Sequence, residues 1–144
     1  MSIVYITLEQ ALDIHQKTIA VSGGGESGVL DAGKLDSVLT HIQNKDYYPT
    51  FEDKLTHLCF CADNFHCFVD GNKRISISLG AQFLLFNGYL KIVSRFINEM
   101  ENISYHVAAG KIDKELLHKI ICALIYDEYD DENLKLEILN AITE

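Results

Sequence analysis

Residues 75–86, Ile-Ser-Ile-Ser-Leu-Gly-Ala-Gln-Phe-Leu-Leu-Phe, carry apolar or small side chains on nearly every face of a helical projection. A helix of that kind has no solvent side of its own, so neighbouring elements must surround it. Asn87-Gly88 supplies its stop. The chain is therefore expected to fold around this segment as its central helix. With 144 residues, 48% of them apolar, it can build one buried core without disulfide or metal staples. A single proline, no internal repeat and no low-complexity segment argue for one globular domain.

Other helices can be placed around it. Thr7-Leu8-Glu9-Gln10 has the capping-box pattern, and Leu8, Ala11, Leu12, His15 and Ile19 follow at helical spacing through about Ala20. The preceding Ile3-Val4-Tyr5-Ile6 is short and β-prone. Asp31 can cap a helix carrying Leu35, Val38, Leu39 and Ile42, which Tyr47-Tyr48-Pro49-Thr50 then breaks. Thr50 caps the next, with Leu55, Leu58, Cys59, Ala62 and Phe65 on its buried face. Ser94 begins a helix with Ile97, Met100, Ile103, Val107 and Ala108, ended by Gly110, and Asp113 caps another with Leu116, Leu117, Ile120, Ile121, Leu124 and Ile125. After the acidic break at 127–132, Leu134, Leu136, Ile138, Leu139 and Ile142 give a short amphipathic C-terminal helix. The reading is an all-α bundle of about six to seven helices. Its one irregular feature is the run Ser22-Gly23-Gly24-Gly25-Glu26-Ser27-Gly28, whose glycines oppose a helix. That run is either a connector or a small flap, able to form a β-hairpin, in which Gly23, Gly24 and Gly25 leave backbone groups free to pair with an extended protein substrate.

The formal net charge of -9 opposes broad attraction to nucleic acid or to an anionic membrane surface, so any anion site must be local. No apolar run approaches the roughly 18 to 20 residues that span a bilayer, and residues 1–12 lack the pattern of a secretion signal. A cytoplasmic protein is expected. Its four cysteines, Cys59, Cys61, Cys67 and Cys122, then read as reduced thiols. A zinc site from His57, Cys59, Cys61, His66 and Cys67 is disfavoured, because Cys59 and Cys61 would point about 200° apart on a helix. His15, His41, His57, His106 and His118 lack a polar setting comparable to that of His66 and read as structural or surface residues.

Immediately before the central helix stands His66-Cys67-Phe68-Val69-Asp70-Gly71-Asn72-Lys73-Arg74. His66 titrates near neutrality and can take a proton from an attacking hydroxyl. Asp70 is a hard oxygen ligand suited to Mg²⁺. Gly71 lets backbone amides approach a phosphate closely, Asn72 can hold the loop or donate to a phosphate oxygen, and the following helix N-terminus favours an anion. Lys73 and Arg74 add a point charge and a bidentate fork. The plainer reading is a solvated Asp-Gly-Asn turn with incidental cations and a histidine that caps the preceding helix.

This segment closely resembles the signature of the Fic/Doc family, histidine-x-phenylalanine-x-(aspartate or glutamate)-glycine-asparagine-x-arginine, and matches every specified position. Residues 22–38, with the glycine run followed by Leu30-Asp31-Ala32-Gly33-Lys34-Leu35, resemble the corresponding part of death-on-curing (Doc) toxins. The likeness spans roughly residues 4–126. It implies a Fic/Doc-like domain over residues 1–126, with 127–144 as an acidic extension of the same domain. It also implies a compact, mostly helical fold binding ATP and Mg²⁺, with His66 as base, Asp70 as metal ligand, Gly71, Asn72 and Lys73 around the phosphates, and Arg74 as phosphate clamp.

Two departures from the longer signature of adenylylating members point toward Doc. Lys73 replaces a glycine, and Ile77 replaces a second arginine. The resemblance then implies a toxin that moves the terminal phosphate of ATP to a threonine of elongation factor Tu, restrained by a separately encoded Phd-like antitoxin. A protein adenylyltransferase and a non-catalytic antitoxin-binding module are the alternatives. The tail reads as a solvated acidic helix, with self-inhibition through Arg74 as its second reading.

Overall fold

The structure, a computed structural model, describes residues 2–21, 32–64 and 72–143. Among the described residues all regular structure is helical: α1 (Leu8–Val21), α2 (Ala32–His41), α3 (Phe51–Asn64), α4 (Asn72–Phe86), α5 (Val93–Ala108), α6 (Lys114–Ile125) and α7 (Glu132–Ile142), with a 3₁₀ turn (Leu90–Ile92) leading into α5. The all-α expectation holds. The glycine run and Asp31 lie outside the described residues.

The helix starts follow from local chemistry. At α1 the Gln10 amide donates to Thr7 Oγ1 at 3.1 Å and the Thr7 amide to Gln10 Oε1 at 3.0 Å, closing the capping box. Thr50 and Asp53 make the same reciprocal pair at α3, and Asp113 Oδ1 accepts from the Leu116 amide at α6. The start of α5 differs. It begins at Val93, one residue before Ser94, continuing from the 3₁₀ turn without a side-chain cap. Gly88 and Gly110 stop α4 and α5 with φ of +87° and +79°, a region costly to other residues. The β-prone residues before α1 form no regular element, and one of them pairs with a side chain: the Val4 amide donates to Asn87 Oδ1 at 2.8 Å, and Asn87 Nδ2 donates back to Val4 O at 3.0 Å.

The centre is a pair of helices. α4 packs against α3, α5 and α1, while α3 packs against α4, α6, α5 and α2. Leu55, Leu58, Cys59, Ile75, Leu79, Phe83, Leu84, Phe96 and Met100 form its fully buried heart. Phe51 stacks on Phe83 and on Tyr89, each at 4.8 Å between ring centres. α7 joins through Leu134 and Ile138, packing on α6.

Lys54 is the unexpected member of this core. It is 1% exposed, and its Nζ donates to Ile42 O at 2.9 Å and Tyr48 O at 2.6 Å, below the face of the Tyr5 ring. Those carbonyls belong to the connection between α2 and α3, so one buried ammonium holds that turn against the core. Lys54→Met keeps most of the volume and leaves both carbonyls without their donor. It is expected to lower the unfolding free energy by about 1 to 3 kcal/mol, read as a lower urea midpoint with unchanged m value; a wild-type midpoint would contradict the structural role of this lysine.

Candidate active site

α3 ends at Asn64 and α4 begins at Asn72, so the polar segment joins the two central helices. His66, Asp70 and Gly71 lie outside the described residues, as do Gly23, Gly24 and Gly25. Asn72 and Lys73 form the first turn of α4 together with Arg74, whose side chain is partly exposed. That turn presents backbone amides without intrahelical acceptors, the arrangement that receives phosphate oxygens. Three residues of the predicted set are thereby placed at one helix N-terminus.

Arg74 opens onto a groove of about 870 Å³ between α1, α4 and α5. Ile14, Ile77, Ala81, Leu85, Ile97 and Tyr105 form most of its wall, and Lys17, Arg74 and Glu101 are its charged members. Inside it, Thr18 Oγ1 donates to Ile14 O at 2.8 Å and lies 3.0 Å from Ser78 Oγ, from which it can accept, which ties α1 to α4 one turn beyond Arg74. Ile77 puts an aliphatic side chain into this groove where the longer signature has a second arginine. The groove also shows where the all-round apolar character of α4 ends: Leu85 is 41% exposed along this strip.

The residues fit a phosphate group. The amides of the first turn of α4 can supply donors and Arg74 a fork, on a helix that packs against α3, α5 and α1. Asp70, the carboxylate expected from sequence to hold a divalent metal, lies outside the described residues. Among the described residues no three histidine, cysteine or acidic side chains converge to hold a metal.

A second polar cluster lies where α2, α3 and α6 meet, and it was not apparent from sequence. Lys114 Nζ donates to His57 Nδ1 at 2.7 Å, the Tyr48 hydroxyl stands 3.2 Å from the same nitrogen, and Cys61 Sγ lies 3.4 Å from Nε2. The His41 ring meets Tyr48 and His57 edge-on. Close by, His118 Nε2 lies 2.8 Å from Asp53 Oδ1. The elements come together only through the packing of α3 on α6, so chain spacing gave no signal. Burial, followed by the positive charges of Lys114 and His41, lowers the His57 pKa to about 4.

Among comparisons with known proteins, a family model described as the Fic/DOC family matches residues 5–84, more than half of the chain and including the whole polar segment. No curated protein and no solved structure gives a match.

His57 gives a pH test of the α3 to α6 contact. Above about pH 6.5 the ring is neutral in folded and unfolded chains alike; below it the unfolded chain gains a proton that the folded ring refuses until about pH 4. Stability should therefore fall across that window. His57→Gln should flatten the fall by about 1 to 2 kcal/mol, a value reduced for partial solvent screening. Urea midpoints across this pH range check it, and parallel curves for the two proteins would contradict it.

Proposed function

The chain belongs to the Fic/DOC family, and from that premise we propose that it is a Doc-like toxin that transfers the terminal phosphate of ATP to a Ser/Thr hydroxyl of a translation protein, elongation factor Tu by resemblance, and so arrests growth. Membership itself carries the coarser assignment, a Fic-type transferase acting on protein with a nucleoside triphosphate and a divalent metal. The observation that carries the finer one is Ile77. One turn past the start of α4 it lines the groove with an aliphatic chain, leaving Arg74 without the second arginine that a nucleotide bound in the adenylylating sense would use. Lys73, in place of the glycine of adenylylating members, supports the same reading.

In this reading the target hydroxyl gives its proton to an imidazole nitrogen of His66 as its oxygen bonds to the terminal phosphorus and the bond to the departing ADP breaks. Asp70 holds Mg²⁺, and Gly71, Asn72 and Lys73 line the phosphates. Arg74 and the first-turn amides of α4 stabilise charge that grows on the phosphoryl oxygens. Mg²⁺ with ATP, when bound, supplies the phosphoryl group and part of that neutralisation. Gly23, Gly24 and Gly25 are proposed to pair with an extended segment of the protein substrate.

The proposed regulator is a Phd-like antitoxin whose C-terminal segment folds as an amphipathic helix into the groove between α1, α4 and α5. The apolar wall from Ile14 to Tyr105, next to Arg74, supports that placement. A cytoplasmic setting without direct nucleic-acid binding fits the net charge of -9. No helix of the described residues is long and apolar enough to cross a membrane.

Incubation of the protein and elongation factor Tu with ATP labelled at either the α or the γ phosphate tests the assignment. Label is expected from γ only, and His66→Ala should lower its transfer by roughly 100-fold or more. Label from α would identify an adenylyltransferase instead. Undiminished growth arrest by His66→Ala would leave only the non-catalytic binding module.

A further inference from the structure

α3 and α4 are tied most closely at Cys59, and both ties come from one face of α4. Ser76 Oγ donates to Cys59 O at 3.1 Å, with both residues fully buried. One turn further along, Gly80 lets the α4 backbone approach so closely that an added Cβ would stand 2.6 Å from the Phe96 ring and 3.0 Å from Cys59 Sγ. The two contacts do different work. Interdigitated packing sets how near the helices lie and most of their register, and the directional hydrogen bond favours one offset within it.

That offset matters because of where the two residues sit. Ser76 is two positions past Arg74 on α4, and Cys59 is five before Asn64, the last residue of α3. We propose that Ser76 is a positioning residue for the transfer reaction: its hydroxyl holds α4 in register on α3, so that Arg74 and the first-turn amides of α4 stand at a set distance from the end of α3 that leads to His66. The inference rests on the transferase reading above.

Three variants of the full chain, assayed well below their melting temperatures, test this: Ser76→Ala, Ser76→Cys and Ser104→Ala. Ser104 on α5 is equally buried, and its hydroxyl has no hydrogen-bond partner among the described residues, so it reports a buried serine-to-alanine change alone. Ser76→Ala is expected to lower kcat by roughly tenfold, the scale of a small misplacement of reacting groups, and to speed amide hydrogen exchange over residues 72–79. Ser76→Cys, a donor of similar size though weaker, should recover part of both, and Ser104→Ala should change neither.

Wild-type kcat and exchange in Ser76→Ala would overturn the proposal. So would a kcat loss without faster exchange, or equal effects from Ser104→Ala. If the wild-type chain transfers neither phosphate nor AMP, the transferase reading fails, and the exchange comparison alone then decides whether Ser76 sets the register.

Discussion

The close approach of α4 to α3 at Cys59 is the contact on which the rest of the molecule depends. Gly80 removes the side chain that would hold the two helices apart, and Phe96 from α5 closes over the gap. With α3, α5 and α1 around it, α4 keeps only one strip toward solvent, and that strip, from Arg74 to Leu85, is the groove floor. α3 ends at Asn64 and α4 begins at Asn72, so the two central helices flank the polar segment. In the proposed reaction the base, His66, lies in that segment and the phosphate clamp, Arg74, in the first turn of α4.

Charge is arranged to the same effect. The chain carries 21 acidic and 12 basic residues, yet most cations away from the motif are already engaged. Lys54 serves two backbone carbonyls and Lys114 donates to His57. Arg95 reaches Asp127 and Asp130 and covers the Tyr129 ring, and Lys119 pairs with Glu137. An acidic protein can still attract a nucleotide if a cation meets oriented amides at one point, as proposed for Arg74 at the start of α4. Among the described residues of the tail, α7 packs on α6, whose residues do not line the groove, and Glu137 pairs with Lys119.

Sequence made the local features legible and the long-range ones not. Thr7 with Gln10, Thr50, Asp113, Asn87-Gly88 and Gly110 each act within one turn of themselves, so their roles could be read from spacing. The apolar run over 75–86 announced a buried helix for the same reason. Lys54 looked like a solvated lysine in an amphipathic helix, because the carbonyls it satisfies come from a turn 6 to 12 residues away. His57 met its partners through the packing of α3 on α6, and Lys114 is 57 positions distant. Ser76 and Ser78 read as small residues in an apolar run, whereas each hydroxyl bonds to a neighbouring helix. In the candidate site, the roles proposed for His66, Asp70 and Arg74 come from residue type and resemblance, and His66 and Asp70 lie outside the described residues. What needed coordinates was that Arg74 and Ile77 open onto a groove shared with α1 and α5.

The central claim is that the N-terminus of α4, with Arg74, receives the phosphate that is transferred. A crystal structure of the protein with Mg²⁺ and a non-hydrolysable ATP analogue tests it most directly. The account predicts the terminal phosphate at the first turn of α4, within hydrogen-bonding reach of Arg74 and facing His66. The α phosphate in that position, with the terminal phosphate directed away from His66, would contradict it.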